Sequence, residues 1–123
     1  KNKGGWDMAE YTQWASPKYC DGIFGFTDAS WYTKKAKTIE FTHGNRMVGD
    51  YPTCDYKLRL QRRNSTGGWT TVFTHTGYFK RYVTVTFDLS LVPAGYYRIR
   101  GDYQYRGYPT KCINATPPFY VER

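Results

Sequence analysis

YVTVTFDLSLVPAGYYRIRGDYQYR, residues 82–106, is the stretch on which the fold turns. In its first part Val83, Val85, Phe87, Leu89 and Leu91 alternate with Thr84, Thr86, Asp88 and Ser90. Apolar side chains at every second position line one face of a strand, because successive Cβ atoms point to opposite sides. Pro93-Ala94-Gly95 then makes a corner, since proline lacks an amide donor and glycine tolerates turn dihedrals. Alternation resumes beyond it. Tyr97, Ile99, Tyr103 and Tyr105 face inward, and Tyr96, Arg98, Arg100, Gln104 and Arg106 face outward.

Working outward, residues 55–63 repeat the pattern, with Tyr56, Leu58 and Leu60 inward and Lys57, Arg59, Gln61 and Arg63 outward. Asn64-Ser65-Thr66-Gly67-Gly68 reads as a turn, residues 69–75 as the returning strand, and Gly77 as its interruption. Residues 37–43 place Ile39 and Phe41 on one face, and Gly44-Asn45 reads as the turn that ends them. Residues 11–14 and 22–27 are weaker strand candidates. A loop carries Cys112, and after Pro117-Pro118 residues 119–123 read as an edge strand, where a leading proline is tolerated. No stretch longer than about ten residues has helical periodicity.

About seven such strands predict an all-β, antiparallel Greek-key β-sandwich. It forms a single domain over 1–123, with a loose N-terminal segment at 1–10. Residues 91–99, Leu-Val-Pro-Ala-Gly-Tyr-Tyr-Arg-Ile, resemble the corner before the sixth strand of immunoglobulin-like and fibronectin-like sandwiches. There an inward Tyr precedes a core position by two residues, the spacing of Tyr97 and Ile99. The resemblance implies a fold and carries over no functional residue.

Composition sets further bounds. With 20% aromatic residues, 13 of them Tyr, the 123-residue chain is too apolar for intrinsic disorder. No apolar run is long enough to span a membrane. The opening Lys1-Asn2-Lys3-Gly4-Gly5 reads as a mature N-terminus from which a leader has been removed. Cys20, Cys54 and Cys112 are too far apart for a zinc or redox motif. In an all-β chain they predict a secreted, extracellular domain with one disulfide. Loop placement at a common end of the sandwich favours Cys54–Cys112, with Cys20–Cys112 and Cys20–Cys54 as alternatives. Asn64-Ser65-Thr66 and Asn114-Ala115-Thr116 are sequons that only a eukaryotic secretory pathway would use.

Charge placement carries the functional reading. The net charge is +8, which draws polyanions of every kind. If 55–63 and 96–106 are sheet neighbours, Lys57, Arg59, Arg63, Arg98, Arg100 and Arg106 share one outer face, with Asp102 the acid among them. Arginine's planar fork suits phosphate, sulfate and carboxylate. The expectation is a secreted, non-catalytic protein docking on an anionic polymer or cell-surface glycan, with nucleic acid as a further polyanion. A secreted toxin or antimicrobial protein acting on a cell envelope is the alternative, and a small basic nuclease a third. Against these, the same cations serve solubility alone. Trp6, Tyr11, Trp14, Tyr19, Trp31 and Tyr32 supply rings for stacking, although Trp14 or Trp31 is expected to fill the core.

Catalysis needs Glu40, His43 or His75, and Arg98 or Arg100 to converge, yet Glu40 and His43 lie three apart on a strand and face opposite ways. Asp50 and Asp55 flank a loop that would make a weak calcium site, and turn propensity explains them equally well. The sequence therefore assigns no catalytic residue, no metal site and no cofactor.

Overall fold

A computed structural model describes the backbone of residues 13–14 and the whole of residues 20, 22–46 and 49–123. The two runs that open the sequence reading become β7 (Tyr82–Asp88) and β8 (Gly95–Tyr105). They do not pair with each other. The Pro93 corner carries the chain from one sheet to another.

In the smaller sheet β2 (Ile23–Thr27) and β7 flank β4 (Thr38–Asn45), both antiparallel to it. The larger, seven-stranded sheet is built around β8. On one side β8 pairs with β5 (Cys54–Arg63), which pairs in turn with β6 (Trp69–Phe79). On its other side β8 takes two short strands end to end. These are β9 (Lys111–Ala115) beside residues 100–104 and β10 (Phe119–Val121) beside residues 95–97. Beyond them lie β1 (Gln13–Trp14), antiparallel to β9, and β3 (Trp31–Tyr32), parallel to β10. The chain is all-β, with no helix among the described residues.

The inward residues of both sheets form one core. Ile39, Phe41, Val85 and Phe87 come from the smaller sheet, and Tyr56, Leu58, Leu60, Tyr97, Ile99 and Tyr103 from the larger. The core of the larger sheet is tyrosine-rich, and the hydroxyls of Tyr32, Tyr97 and Tyr103 find hydrogen-bonding partners within the fold. Tyr97 donates to the Pro93 carbonyl (2.6 Å), and Tyr32 donates to Asp28 (2.6 Å). Val83, expected inside, is half-buried.

Five local expectations are corrected. Leu91 is exposed and Val92 buried in its place, because β7 ends at Asp88 and a turn closed by Val92 N–H to Leu89 C=O breaks the alternation. Gly44 lies inside β4, where the Arg81 carbonyl and Tyr82 press so close that no side chain fits. Gly77 likewise continues β6, with the ring of its cross-strand partner Tyr56 lying over it. Cys112 sits in a strand, β9. The strand at 119–121 is not an edge, since β3 and β8 flank it.

The disulfide joins Cys20 to Cys112 (Cα–Cα 5.1 Å), and Cys54 is a buried free thiol. This corrects the Cys54–Cys112 pairing. Cys54 stands opposite Tyr105 on β8, and Cys112 opposite Tyr103 on the far side of β8. Two strand spacings of about 4.8 Å therefore separate them, beyond the roughly 7 Å reach of a disulfide. The bridge ties β9 of the larger sheet to the segment entering β2 of the smaller one. The segment at 1–10, residues 11–12, and the side chains of Trp14 and Tyr19 lie outside the described residues, so the expectations placed on Trp6, Tyr11, Trp14 and Tyr19 lie there too.

A candidate polyanion-binding face

The outer face of the larger sheet is assembled by the β5–β8 register. Lys57 stands opposite Asp102, Arg59 opposite Arg100, and Gln61 opposite Arg98. Strands 55–63 and 96–106 are thus neighbours, and Lys57, Arg59, Arg63, Arg98 and Arg100 come to one surface. Arg106 follows just beyond the end of β8.

Two arginines directly opposite would destabilise the pair. Asp102 relieves them, its Oδ1 accepting from Arg59 Nη1 and Arg100 Nε at 3.1 Å each. These groups are about one-quarter to one-third exposed, so the shared carboxylate is partly shielded from water. One acid between two cations leaves a net positive charge. Asp55 accepts from Arg106 Nη2 at 2.9 Å and Nε at 3.1 Å, and Arg106 also lies over the Tyr78 ring. Burial and the nearby Arg100 and Arg63 charges make Arg98 bind its proton less tightly than an ordinary arginine. It is held by Gln61 Oε1 (2.8 Å) and by the Trp69 ring, which Arg63 shares.

Sequence reasoning missed one cation of this face and a second basic cleft away from it. Lys111 joins Asp55, Lys57, Arg59 and Asp102 around a shallow cleft of about 370 Å³. Its inclusion depends on β9 being a strand, and the proline-bounded segment hid that. At the other end of the molecule Lys34, Lys35, Lys37 and Arg123 line an open cleft of about 680 Å³ with Asp88 and Ser90. These cations are distant in sequence, and meet because β10 runs parallel to β3.

The residues of a possible nuclease are not brought together. Glu40 lies on the outer face of the smaller sheet, and Arg98 and Arg100 on that of the larger. His43 is fully buried between the sheets, its Nδ1 2.7 Å from Tyr103 Oη. Burial, with a lesser push from His75, lowers its pKa to about 3, so the ring is neutral near pH 7. Asp50 pairs with Lys80 and Asp55 with Arg106. Trp31 is 42% exposed, and Tyr32 beside it fills the core.

Among the described residues no helix is long and apolar enough to cross a membrane. Compared with profiles of known protein families and with the sequences of characterised proteins, the chain matches none. What defines it is an all-β chain of two sheets, one of which has a basic outer face.

Proposed function

We propose that this is a non-catalytic extracellular binding domain that docks on an anionic polymer through the outer face of the larger sheet. One observation carries the reading: the two sheets differ sharply in outward charge. The outward strand positions of the smaller sheet hold Phe24, Phe26, Thr38, Glu40, Thr42, Tyr82, Thr84, Thr86 and Asp88. Those of β5 and β8 hold Lys57, Arg59, Arg63, Arg98 and Arg100 against Asp55 and Asp102. Solubility alone calls for mixed charge spread over both faces.

The two facing sheets read as a sandwich of fibronectin-like order. β2-β4-β7 forms one layer and β6-β5-β8-β10 the frame of the other, with the Tyr97–Pro93 hydrogen bond supporting a tyrosine corner. The Cys20–Cys112 bridge supports an oxidising, extracellular setting.

The test is binding to heparin, polygalacturonate and polyphosphate over a range of salt. Replacing Arg59, Arg98 and Arg100 by Gln is expected to weaken attachment at least about tenfold. The slope of log K against log salt should fall by about one for each arginine engaged. Unchanged affinity and slope would leave the face a solubilising surface.

A further inference from the structure

We propose that the polymer is an acidic glycan, and that the cleft between Arg63, Tyr96 and Pro118 holds one of its sugar rings. This assignment rests on the binding face proposed above and names its ligand class.

A single cross-strand row runs over five strands of the larger sheet. Trp69 on β6 stands opposite Arg63 on β5. The pairing of Arg62 with Tyr97 brings Arg63 beside Tyr96 on β8. Tyr96 stands opposite Tyr120 on β10, and Tyr120 opposite Trp31 on β3. At about 4.8 Å per strand the row is roughly 19 Å long, the scale of an oligomer rather than of a single small molecule.

The row has two ends of different chemistry. At one end Tyr96 (53% exposed) and Trp31 (42%) present their rings to solvent. Tyr120 braces both, with centroids 4.9 and 5.0 Å away, and Glu122 accepts a hydrogen bond from the Trp31 indole N–H. Large rings held open to water by such bracing are poised for contact with a ligand. At the other end Arg63 and Arg98 lie over Trp69, 5.0 and 4.7 Å from its centroid, which fixes their forks on the outer face.

Between them, where Arg63 stands beside Tyr96, the row opens into a cleft walled by Pro118, about 400 Å³ in volume. That lies within the range of small-ligand sites, roughly 300–1,000 Å³. It offers an aromatic face, an apolar proline wall and a guanidinium. A uronic or sulfated sugar answers all three, with its C–H face on the ring and its acid group on the fork. Single-stranded nucleic acid fits less well. Tyr120 stands edge-on to Tyr96 and tilted to Trp31, so the row presents no series of parallel plates for successive bases.

The experiment measures binding of polygalacturonate, heparin, ring-free polyphosphate and single-stranded poly-dT to the folded parent and to Y96A, Y96F, W31A and R59Q/R100Q. Thermal unfolding confirms that each variant remains folded. Y96A and W31A are expected to weaken heparin or polygalacturonate about tenfold and leave polyphosphate unchanged, while Y96F retains parental affinity. R59Q/R100Q should weaken every polyanion. Equal losses for glycan and polyphosphate in Y96A, or none, would overturn the glycan assignment and leave the basic face standing. Tighter, Tyr96-dependent binding of poly-dT would overturn it in favour of nucleic acid. Parental binding of every probe by R59Q/R100Q would overturn the face itself.

Discussion

His43 is a residue through which the fold responds to acid. Its pKa of about 3 lies below the ordinary 6.5 because the charged ring cannot be solvated between the sheets. The unfolded chain therefore binds a proton that the folded chain refuses. Stability is fully present above about pH 6.5 and is lost as pH falls toward 3, by about 1.4 kcal/mol per pH unit within that window. Urea midpoints measured from pH 7 to 4 should fall accordingly. The double variant His43→Leu/Tyr103→Phe removes both hydrogen-bonding partners together and should flatten the dependence. A parental slope in that variant assigns the acid sensitivity elsewhere. Gly44 is the second sensitive position. Gly44→Ala sets a Cβ against the backbone of Arg81 and Tyr82 and should cost about 3 kcal/mol in denaturant unfolding. Composition marks both residues as ordinary, one a polar strand residue and the other a turn former. Their roles arise from contacts across sheets and strands, which a single sequence does not encode locally.

At the scale of elements, alternation was a sound guide where one face of a strand is buried. Residues 55–63 and 96–105 place Tyr56, Leu58, Leu60, Tyr97, Ile99 and Tyr103 in the core as their period of two requires. Ile99→Ala should accordingly cost about 2–5 kcal/mol. The pattern failed where strands are short or where contacts outweigh turn chemistry. β3 has two residues and β9 five, and their pairing depends on neighbours far along the chain. The disulfide is hidden for the same reason: read as a loop residue, Cys112 has nothing in the sequence to set β8 between it and Cys54. Non-reducing peptide mapping should recover a linked Cys20–Cys112 pair. Cys54, its thiol pushed up to about 12 chiefly by burial, should resist alkylation until the protein unfolds. Replacing Cys20 and Cys112 by Ser should cost roughly 4–5 kcal/mol on the chain-entropy account of a crosslink with a sequence separation of 92.

At the scale of the whole molecule the two outer faces differ in charge. The register gathers arginines from β5 and β8 onto one outer face and leaves threonine, aromatic rings and two acids on the outward strand positions of the other sheet. Five of the six cations named from the sequence share that face, and Arg106, locked to Asp55, marks its border. The carboxylate shared by Arg59 and Arg100, the aromatic row and Lys111 were not legible, because each depends on which strands lie side by side. The second basic cleft, at Lys34, Lys35, Lys37 and Arg123, is the natural competitor for any polyanion. Backbone amide NMR of the labelled protein titrated with a short heparin oligosaccharide separates the two most directly. The account predicts shift changes concentrated on Lys57–Arg63 and Tyr96–Asp102, with β2, β4 and β7 unmoved. Changes confined to residues 34–37, 88–90 and 123, or spread evenly over both sheets, would contradict it.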